Sequence, residues 1–237
     1  MKKTKIIIPA LGLLLLSTAA SVTGTVAWFA ANATVTAQGM SVSAKSDSVF
    51  LEIQGAQDAG YTSTGNANLT GQLLPVAHES WDSVDDIESF TNNWYYRYSD
   101  KTDDADSNMT TKSYISAFEV DENHKYVATT SFSVKLHDGS ADKAYDLYVS
   151  SVTIAADTGI TVVIAGEDGY QEFSASQAAT IAFDNDNVLA DEVTSTAQNI
   201  NVYIYIDGNN DNVYSDNIDA LTGAVSFQLT AFAANHA

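Results

Sequence analysis

The group of oxygen-bearing side chains that most resembles a metal site in this sequence lies between residues 207 and 219. Calcium is a hard cation that requires several oxygen ligands converging on one turn. The spacing of four of these residues matches positions 1, 3, 5 and 9 of a calcium-binding loop, and they are Asp207, Asn209, Asp211 and Ser215. The spacing marks residues 207–215 as a candidate calcium site, the one cofactor that the sequence suggests.

Two positions of this run depart from a calcium-binding loop. Asn212 stands at position 6, where glycine makes the sharp turn, and Ile218 stands at position 12 in place of a bidentate glutamate. The alternative is a long hairpin connection in which Asp and Asn side chains accept hydrogen bonds from their own turns. Both interpretations remain open at the level of sequence.

A dense aromatic group occupies residues 81–98. Trp81, Trp94 and Tyr96, with Asp and Asn close by in sequence, would suit a platform on which sugar rings stack. Alternation along a strand would instead turn half of these rings inward, into a packed core. The sequence therefore predicts either a carbohydrate-binding platform or an aromatic packing cluster.

Catalytic patterns are weak. His78 and Glu79 begin like the H-E-x-x-H motif of zinc proteases, but Asp82 stands where the second histidine is required. The chain has no cysteine, which excludes thiol nucleophiles, iron–sulfur clusters and disulfides. Neither a G-x-S-x-G elbow nor a phosphate-binding loop is present. We therefore expect a protein that is not an enzyme.

The net charge and the hydrophobic fraction exclude further classes of protein. The 237 residues include 30 acidic and 10 basic side chains, for a formal net charge of −20. This charge repels a phosphate backbone, so the sequence argues against a nucleic-acid partner. The hydrophobic fraction of 45% provides enough apolar material for a sizeable core and excludes global disorder.

The N-terminus has the pattern of a secretory signal peptide. Lys2, Lys3 and Lys5 precede the apolar run 6–16, and small residues dominate from 17 to 27. We predict residues 1–27 as the signal peptide, the only part expected to meet a membrane. The alternative is that this segment is retained as an anchor. Either way the body of the protein is expected to be secreted, at the cell surface or in an extracellular matrix.

The body of the chain alternates with a period of two, as strands with one buried face do. Strands are predicted, among others, at Ser131–His137, Ala144–Ala155, Gly159–Gly166, Asn199–Asp207 and Ala224–Phe232, and earlier at Ser41–Ala44, Val49–Gln54, Trp94–Tyr98, Ser113–Phe118 and Tyr126–Thr130. A slip in the alternation at Ser150–Ser151 predicts a β-bulge. Strands separated by Asp, Asn, Gly and Ser turns predict an all-β, antiparallel β-sandwich of jelly-roll type with long loops.

We expect one domain over residues 28–237, with residues 55–125 forming a loop-rich elaboration of the sandwich. Helix is expected only in short pieces, such as Ser80–Phe90, where Ser80 or Asp82 would serve as the N-cap.

The sequence Gly24-Thr-Val-Ala-Trp-Phe-Ala-Ala-Asn32, followed by Thr36-Ala-Gln-Gly-Met-Ser-Val-Ser-Ala-Lys45, resembles the start of the TasA/camelysin group of secreted bacterial matrix proteins. The resemblance implies cleavage between Ala27 and Trp28 by a signal peptidase of the SipW type. It also implies a jelly-roll subunit of extracellular fibres, a structural protein of the cell surface or biofilm matrix. One departure is Ala30, where the group usually has an acidic residue after the phenylalanine.

In such fibres the freed N-terminal segment pairs with the sheet of a neighbouring copy of the same chain. Residues 28–39 are uncharged and β-prone, and pairing at a sheet edge would bury Trp28, Phe29 and Val35. The alternative is that this segment is the first strand of its own sandwich. A further alternative, of a different class, is a monomeric surface adhesin or carbohydrate-binding module.

Overall fold

The structure is a computed structural model that describes residues 40–44, 51–56, 58–67, 72–90, 93–97, 112–137, 145–154, 159–177, 180–210, 213 and 225–232. The predicted signal peptide, the cleavage site at Ala27 and Trp28, and the N-terminal contact residues Phe29 and Val35 lie outside these residues. Their predictions are neither confirmed nor contradicted by the fold.

The described residues form strands almost throughout. The strands are β1 (Met40–Ala44), β2 (Leu51–Gly55), β3 (Thr64–Ala67), β4 (Gln72–Leu73), β5 (Val76–His78), β6 (Trp94–Tyr96), β7 (Ser113–Tyr114), β8 (His124–Lys125), β9 (Val127–Leu136), β10 (Tyr145–Ile154), β11 (Ile160–Ala165), β12 (Tyr170–Phe173), β13 (Val188–Val193), β14 (Gln198–Ile206) and β15 (Val225–Phe232). Helix is limited, in this part of the chain, to single 3₁₀ turns at Val84–Glu88 and Asn185–Asn187. Nowhere in the described ranges is a helix long and apolar enough to cross a bilayer.

Two five-stranded sheets make the body of the fold. Sheet 1 has the order β13-β10-β15-β1-β3, and sheet 2 has the order β12-β11-β14-β9-β2. Neighbouring strands in these sheets are antiparallel, except that β1 runs parallel to β15. The prediction of an all-β, antiparallel sandwich is confirmed. The jelly-roll connectivity stays a prediction, because the parallel β1–β15 pair departs from an all-antiparallel arrangement.

The main core lies on the apolar faces that the alternation predicts. Phe132, Val134 and Leu136 of β9 are buried, together with the inward residues of β14, its neighbour in sheet 2, and of β15 in sheet 1. Those residues are Ile200, Val202, Ile204 and Ile206 of β14 and Val225, Phe227 and Leu229 of β15. Burial of each such side chain contributes about 1.5–3 kcal/mol, so these faces fix the register of the strands.

The predicted bulge is present in β10. Val149 lies opposite Leu229 and Ser151 lies opposite Gln228, so Ser150 is the extra residue. Its hydroxyl is buried, donates to the carbonyl oxygen of Gln228 at 3.3 Å and accepts from Thr230 Oγ1 at 2.7 Å. These bonds satisfy a buried hydroxyl that would otherwise have no partner.

A second apolar cluster covers the outer face of sheet 2. It joins Val76, Trp81, Ile87, Trp94 and Ile115 to the outward residues of β11 and β14, which are Val163, Ala165, Tyr203 and Tyr205. Strands β11 and β14 are therefore buried on both faces over part of their length. The elaboration at 55–125 contributes an apolar cluster of its own, although its sequence alternates only in short pieces.

Some local expectations were wrong. The 3₁₀ turn at Val84–Glu88 has Ser83 as its N-cap residue, in place of the predicted Ser80 or Asp82. The Asp86 carboxylate accepts from the backbone N–H groups of both Asp82 and Ser83, at 3.0 and 3.1 Å. The predicted strand over Ser113–Phe118 is reduced to Ser113–Tyr114.

Candidate functional site

The outer face of sheet 2 carries a patch of small polar side chains. Thr129 of β9 lies directly opposite Tyr203 of β14, and Ser131 lies opposite Asn201. Residues two apart on a strand share a face, so these four side chains form two adjacent cross-strand pairs. Thr129 and Ser131 are exposed, whereas Tyr203 is 4% exposed and forms part of the second cluster.

The turn at Val84–Glu88 positions two further residues beside this patch. Ile87 is fully buried, and its carbonyl oxygen accepts a 2.8 Å hydrogen bond from the buried Nε1 atom of Trp94. This anchor, with the hydrogen bond that the backbone N–H of Ser89 donates to the carbonyl oxygen of Asp86 at 3.2 Å, fixes the backbone on either side of Glu88. Phe90 follows two residues later and packs against the ring of Phe118, with centroids 4.9 Å apart at 72°.

These elements enclose an open cleft of about 590 Å³. Its bottom is the polar patch of β9 and β14, and its rim is formed by the turn and the Phe90–Phe118 pair. The residues that matter for recognition are Glu88, Phe90, Phe118, Thr129, Ser131 and Asn201. Apolar rings beside a few convergent polar groups are the usual composition of a small-molecule site.

Glu88 is held in place by Tyr203. The Tyr203 hydroxyl donates to Glu88 Oε1 at 2.6 Å, across 115 residues of sequence. Burial, together with the Glu88 carboxylate, raises the pKa of Tyr203, so this phenol stays protonated and remains a donor. A carboxylate offers about four acceptor positions, so one bond from Tyr203 leaves Glu88 able to accept from a ligand.

A separate polar network lies within the second cluster, around His78. Its Nδ1 atom lies 2.5 Å from the carbonyl oxygen of Glu79 and donates to it. Its Nε2 atom lies 3.0 Å from both Glu172 Oε1 and the Tyr205 hydroxyl, and that hydroxyl donates to the same Glu172 oxygen at 2.5 Å. The imidazole stacks on Trp81 with centroids 3.7 Å apart and planes 10° apart.

The network favours an ion pair between His78 and Glu172. Burial lowers the pKa of His78, but hydrogen bonds to Glu172 and the Glu79 carbonyl, and the charges of Glu172 and Asp207, raise it by more. Burial raises the pKa of Glu172, but bonds from His78 and Tyr205 bring it below its ordinary value. Burial and the Glu172 charge raise the pKa of Tyr205 well above its ordinary value. The arrangement ties β5 of the elaboration to β12 and β14 of sheet 2.

The predicted aromatic platform is not formed by its two tryptophans. Trp94 is fully buried and Trp81 is 6% exposed, with their centroids 5.4 Å apart, because both rings pack against sheet 2. Tyr96 is half-buried, and its ring lies 6.1 Å from that of Tyr126. The packing alternative describes the two tryptophans, whereas Tyr96 lines a second cleft of about 460 Å³ together with Tyr114 and Tyr126. Phe90 and Phe118 line the cleft over β9 and β14.

The candidate calcium loop is described only at its start. Asp207 Oδ1 accepts from the backbone N–H of Asn209 at 2.9 Å, which is an Asx turn. Burial raises the pKa of Asp207. Asp211 and Ser215 lie outside the described residues, and within those residues no three His, Asp or Glu side chains converge as metal ligands.

Sequence reasoning did not find the cleft. Its signal was present in Thr129 and Ser131, two small polar residues on a strand whose other face is strongly apolar. Their partners Glu88, Phe118 and Asn201 come from distant segments that only the tertiary fold brings together.

The fold and the cleft define an all-β sandwich protein with an aromatic-edged polar cleft on one sheet. Comparisons with family models, with curated proteins and with solved structures found no match to this chain.

Proposed function

We propose that this chain is a secreted structural protein of the bacterial cell surface or biofilm matrix, the subunit of fibres assembled by N-terminal strand pairing. The observation that carries this proposal is the position of β1. Met40–Ala44 is the first described strand, yet it lies inside sheet 1, between β15 and β3. The uncharged segment 28–39 leads directly into it.

Removing β1 from sheet 1 would expose two strand edges at once. The ladder to β15 pairs Ser41 with Ser226 and Ala44 with Leu229, and the ladder to β3 pairs Met40 with Ala67. Unpaired edges of this kind are templates for a strand from another chain. The N-terminal strand therefore occupies a slot that its own chain or a neighbour could fill.

Filling the slot from a neighbour makes a head-to-tail contact. Such a contact is heterologous, and it propagates into an open filament when the rotation between copies does not close a ring. Without Lys2, Lys3 and Lys5, the chain from Trp28 onward has 30 acidic and 7 basic side chains, and this net charge of −23 keeps the filament surface soluble and sensitive to cations. Calcium binding at residues 207–215 belongs to this proposal as a modulator of assembly.

Cross-linking distinguishes pairing within a chain from pairing between chains. The chain has no cysteine, so Ser41→Cys and Asn66→Cys, which replace residues facing each other across β1 and β3, introduce the only thiols. We expect a mixture of the two single variants, each starting at Trp28, to form covalent dimers on oxidation. Cross-links confined to monomers of the double variant would contradict donation between subunits.

Electron microscopy tests assembly itself. Chains starting at Trp28 should form filaments, whereas chains starting at Lys45, which lack β1, should not. A chain starting at Met40 retains β1 and separates the contribution of residues 28–39. Filaments formed without residues 28–44 would overturn the proposal.

A second candidate function, a monomeric adhesin or carbohydrate-binding module, is favoured by the cleft over β9 and β14.

A further inference from the structure

We propose that the cleft bounded by Glu88, Phe90, Phe118, Thr129, Ser131 and Asn201 binds a neutral carbohydrate chain. The proposal is independent of fibre assembly, since none of these residues lies on β1, β3 or β15. The cleft gives the protein a binding activity on the sheet that lies opposite the proposed assembly slot.

The polar side of the cleft has the donors and acceptors that sugar hydroxyls require. Thr129 and Ser131 contribute hydroxyls that both donate and accept, and Asn201 contributes an amide with both functions. Glu88, held by Tyr203 at 2.6 Å, accepts from a ligand hydroxyl in a charge-assisted bond. Because Tyr203 and the anchored turn fix this carboxylate before binding, little ordering free energy is lost on association.

The aromatic rim complements the other surface of a sugar. Phe90 and Phe118 are both half-buried, and they meet edge to face at 4.9 Å, so each ring is held by the other. Phe118 also packs against Trp94 at 5.5 Å and Tyr203 at 6.0 Å. A rigid ring beside hydroxyl-binding groups offers apolar contact to the C–H face of a pyranose while its edge is hydrogen-bonded.

Charge selects the class of carbohydrate. The chain has a net charge of −20, and among the described residues that line the cleft the charged side chain is Glu88. An anionic polysaccharide would meet repulsion from both the local carboxylate and the whole surface. A cation would compete with the Tyr203 hydroxyl for the Glu88 carboxylate. It would not use the hydroxyl and amide groups of β9 and β14 as hydrogen-bond donors. Neutral hexose or N-acetylhexosamine chains fit all of the groups present.

Binding is tested on the chain from Trp28 to the C-terminus by affinity electrophoresis and isothermal titration. The probes are laminarin, xyloglucan and N-acetylchitohexaose as neutral carbohydrates, alginate as an anionic one and spermine as a cation. We expect retardation by at least one neutral probe and none by alginate. Retention by alginate or spermine alone, or by no probe, would overturn the proposal.

Three substitutions locate the binding in the cleft. Glu88→Gln preserves the shape of the side chain and the Tyr203 bond but removes the charge, and Thr129→Ala removes one exposed hydroxyl. We expect each to raise the Kd for the neutral probe about threefold to tenfold, with unchanged near-UV circular dichroism. Thr153, like Thr129, is an exposed threonine on a strand, but it belongs to sheet 1, so Thr153→Ala is the matched control and should leave the Kd unchanged. Equal Kd values for wild type, Glu88→Gln and Thr129→Ala would place the binding elsewhere and refute the cleft.

Discussion

His78 and Glu172 face each other at 3.0 Å across 94 residues of sequence, and they join the elaboration to the edge strand of sheet 2. The histidine side chain is 15% exposed and the glutamate side chain 34% exposed, so water screens the pair only in part. Tyr205 bonds to both partners, and the Asp207 charge acts on His78 from the end of β14. The pair is therefore positioned to make stability depend on pH.

The first prediction concerns this pH dependence. The pKa of His78 is raised from an ordinary 6.5, so its contribution is complete below pH 6.5 and is lost as pH rises through the folded-state pKa. The pKa of Glu172 is lowered from 4.5, so its contribution is complete above pH 4.5 and is lost as pH falls through the folded-state pKa. Both contributions are present between about pH 4.5 and 6.5.

Substitution isolates this pair from the other titrating groups. We expect His78→Gln to lower the free energy of unfolding by on the order of 1 kcal/mol more at pH 5.5 than at pH 8.5, measured by urea denaturation. His124→Gln is the matched control, because His124 pairs with Asp121 at 2.8 Å with side chains 40% and 53% exposed. A loss from His78→Gln that is the same at both pH values would contradict the ion pair.

The second prediction concerns Gly65 of β3, which lies close to the side chains of Ile53 and Phe132. A Cβ atom at this position would lie 2.7 Å from Ile53 Cγ2 and 2.8 Å from Phe132 Cδ1, and both of those side chains are fully buried. Gly65→Ala should therefore lower the free energy of unfolding by about 1–3 kcal/mol through overpacking. Gly60→Ala is the control, since nothing lies within 4 Å of its Cβ position. Equal midpoints of denaturation for the two variants would show that the core adjusts without cost.

Period-two alternation was enough to predict the sandwich core but not its surroundings. The pattern placed Ile200, Val202, Ile204 and Ile206 of β14 on one face, and these residues are buried in the core. Tyr203 and Tyr205 on the opposite face are buried as well, because the elaboration covers them. Strands of two or three residues, such as β4, β5 and β8, are too short to show any period.

The candidate site could not be predicted from the sequence for a related reason. Glu88 and Tyr203 are 115 residues apart, and no local pattern encodes their contact. One of the two alternatives predicted from the sequence placed Trp81 and Trp94 in a platform, because they are close in sequence. They are buried instead, because they pack against β11 and β14. Proximity in sequence identified the aromatic group, and only tertiary packing decides which rings face solvent.

The third prediction concerns calcium. Asp207 Oδ1 already accepts a hydrogen bond from the backbone N–H of Asn209, and burial raises the pKa of this carboxyl. In excess chelator we expect the Tm of Asp207→Asn to lie within about 2 °C of the wild-type Tm. If residues 207–215 bind calcium, added calcium should raise the Tm of the wild type but not that of the variant. Thermal unfolding with calcium, magnesium and chelator measures both. A calcium-specific rise in wild type alone would favour the calcium loop over the Asx-rich hairpin.

The last prediction concerns the bulge of β10. Leu147 and Val149 point into the core before the bulge, and Val152 and Ile154 do so after it. Between Val149 and Val152 the sequence has one residue too many for strict alternation, and the bulge at Ser150 takes up that residue. Deleting Ser150 leaves a regular ladder with all four apolar residues inward, and we expect it to cost only about 1–2 kcal/mol for the lost hydroxyl bonds. Deleting Thr153, an exposed residue of similar size, turns Ile154 to the outer face and should cost about 2–4 kcal/mol. Chemical denaturation compares the two, and a Ser150 deletion as destabilising as the Thr153 deletion would mean that the bulge itself, rather than the alternation, stabilises the sheet.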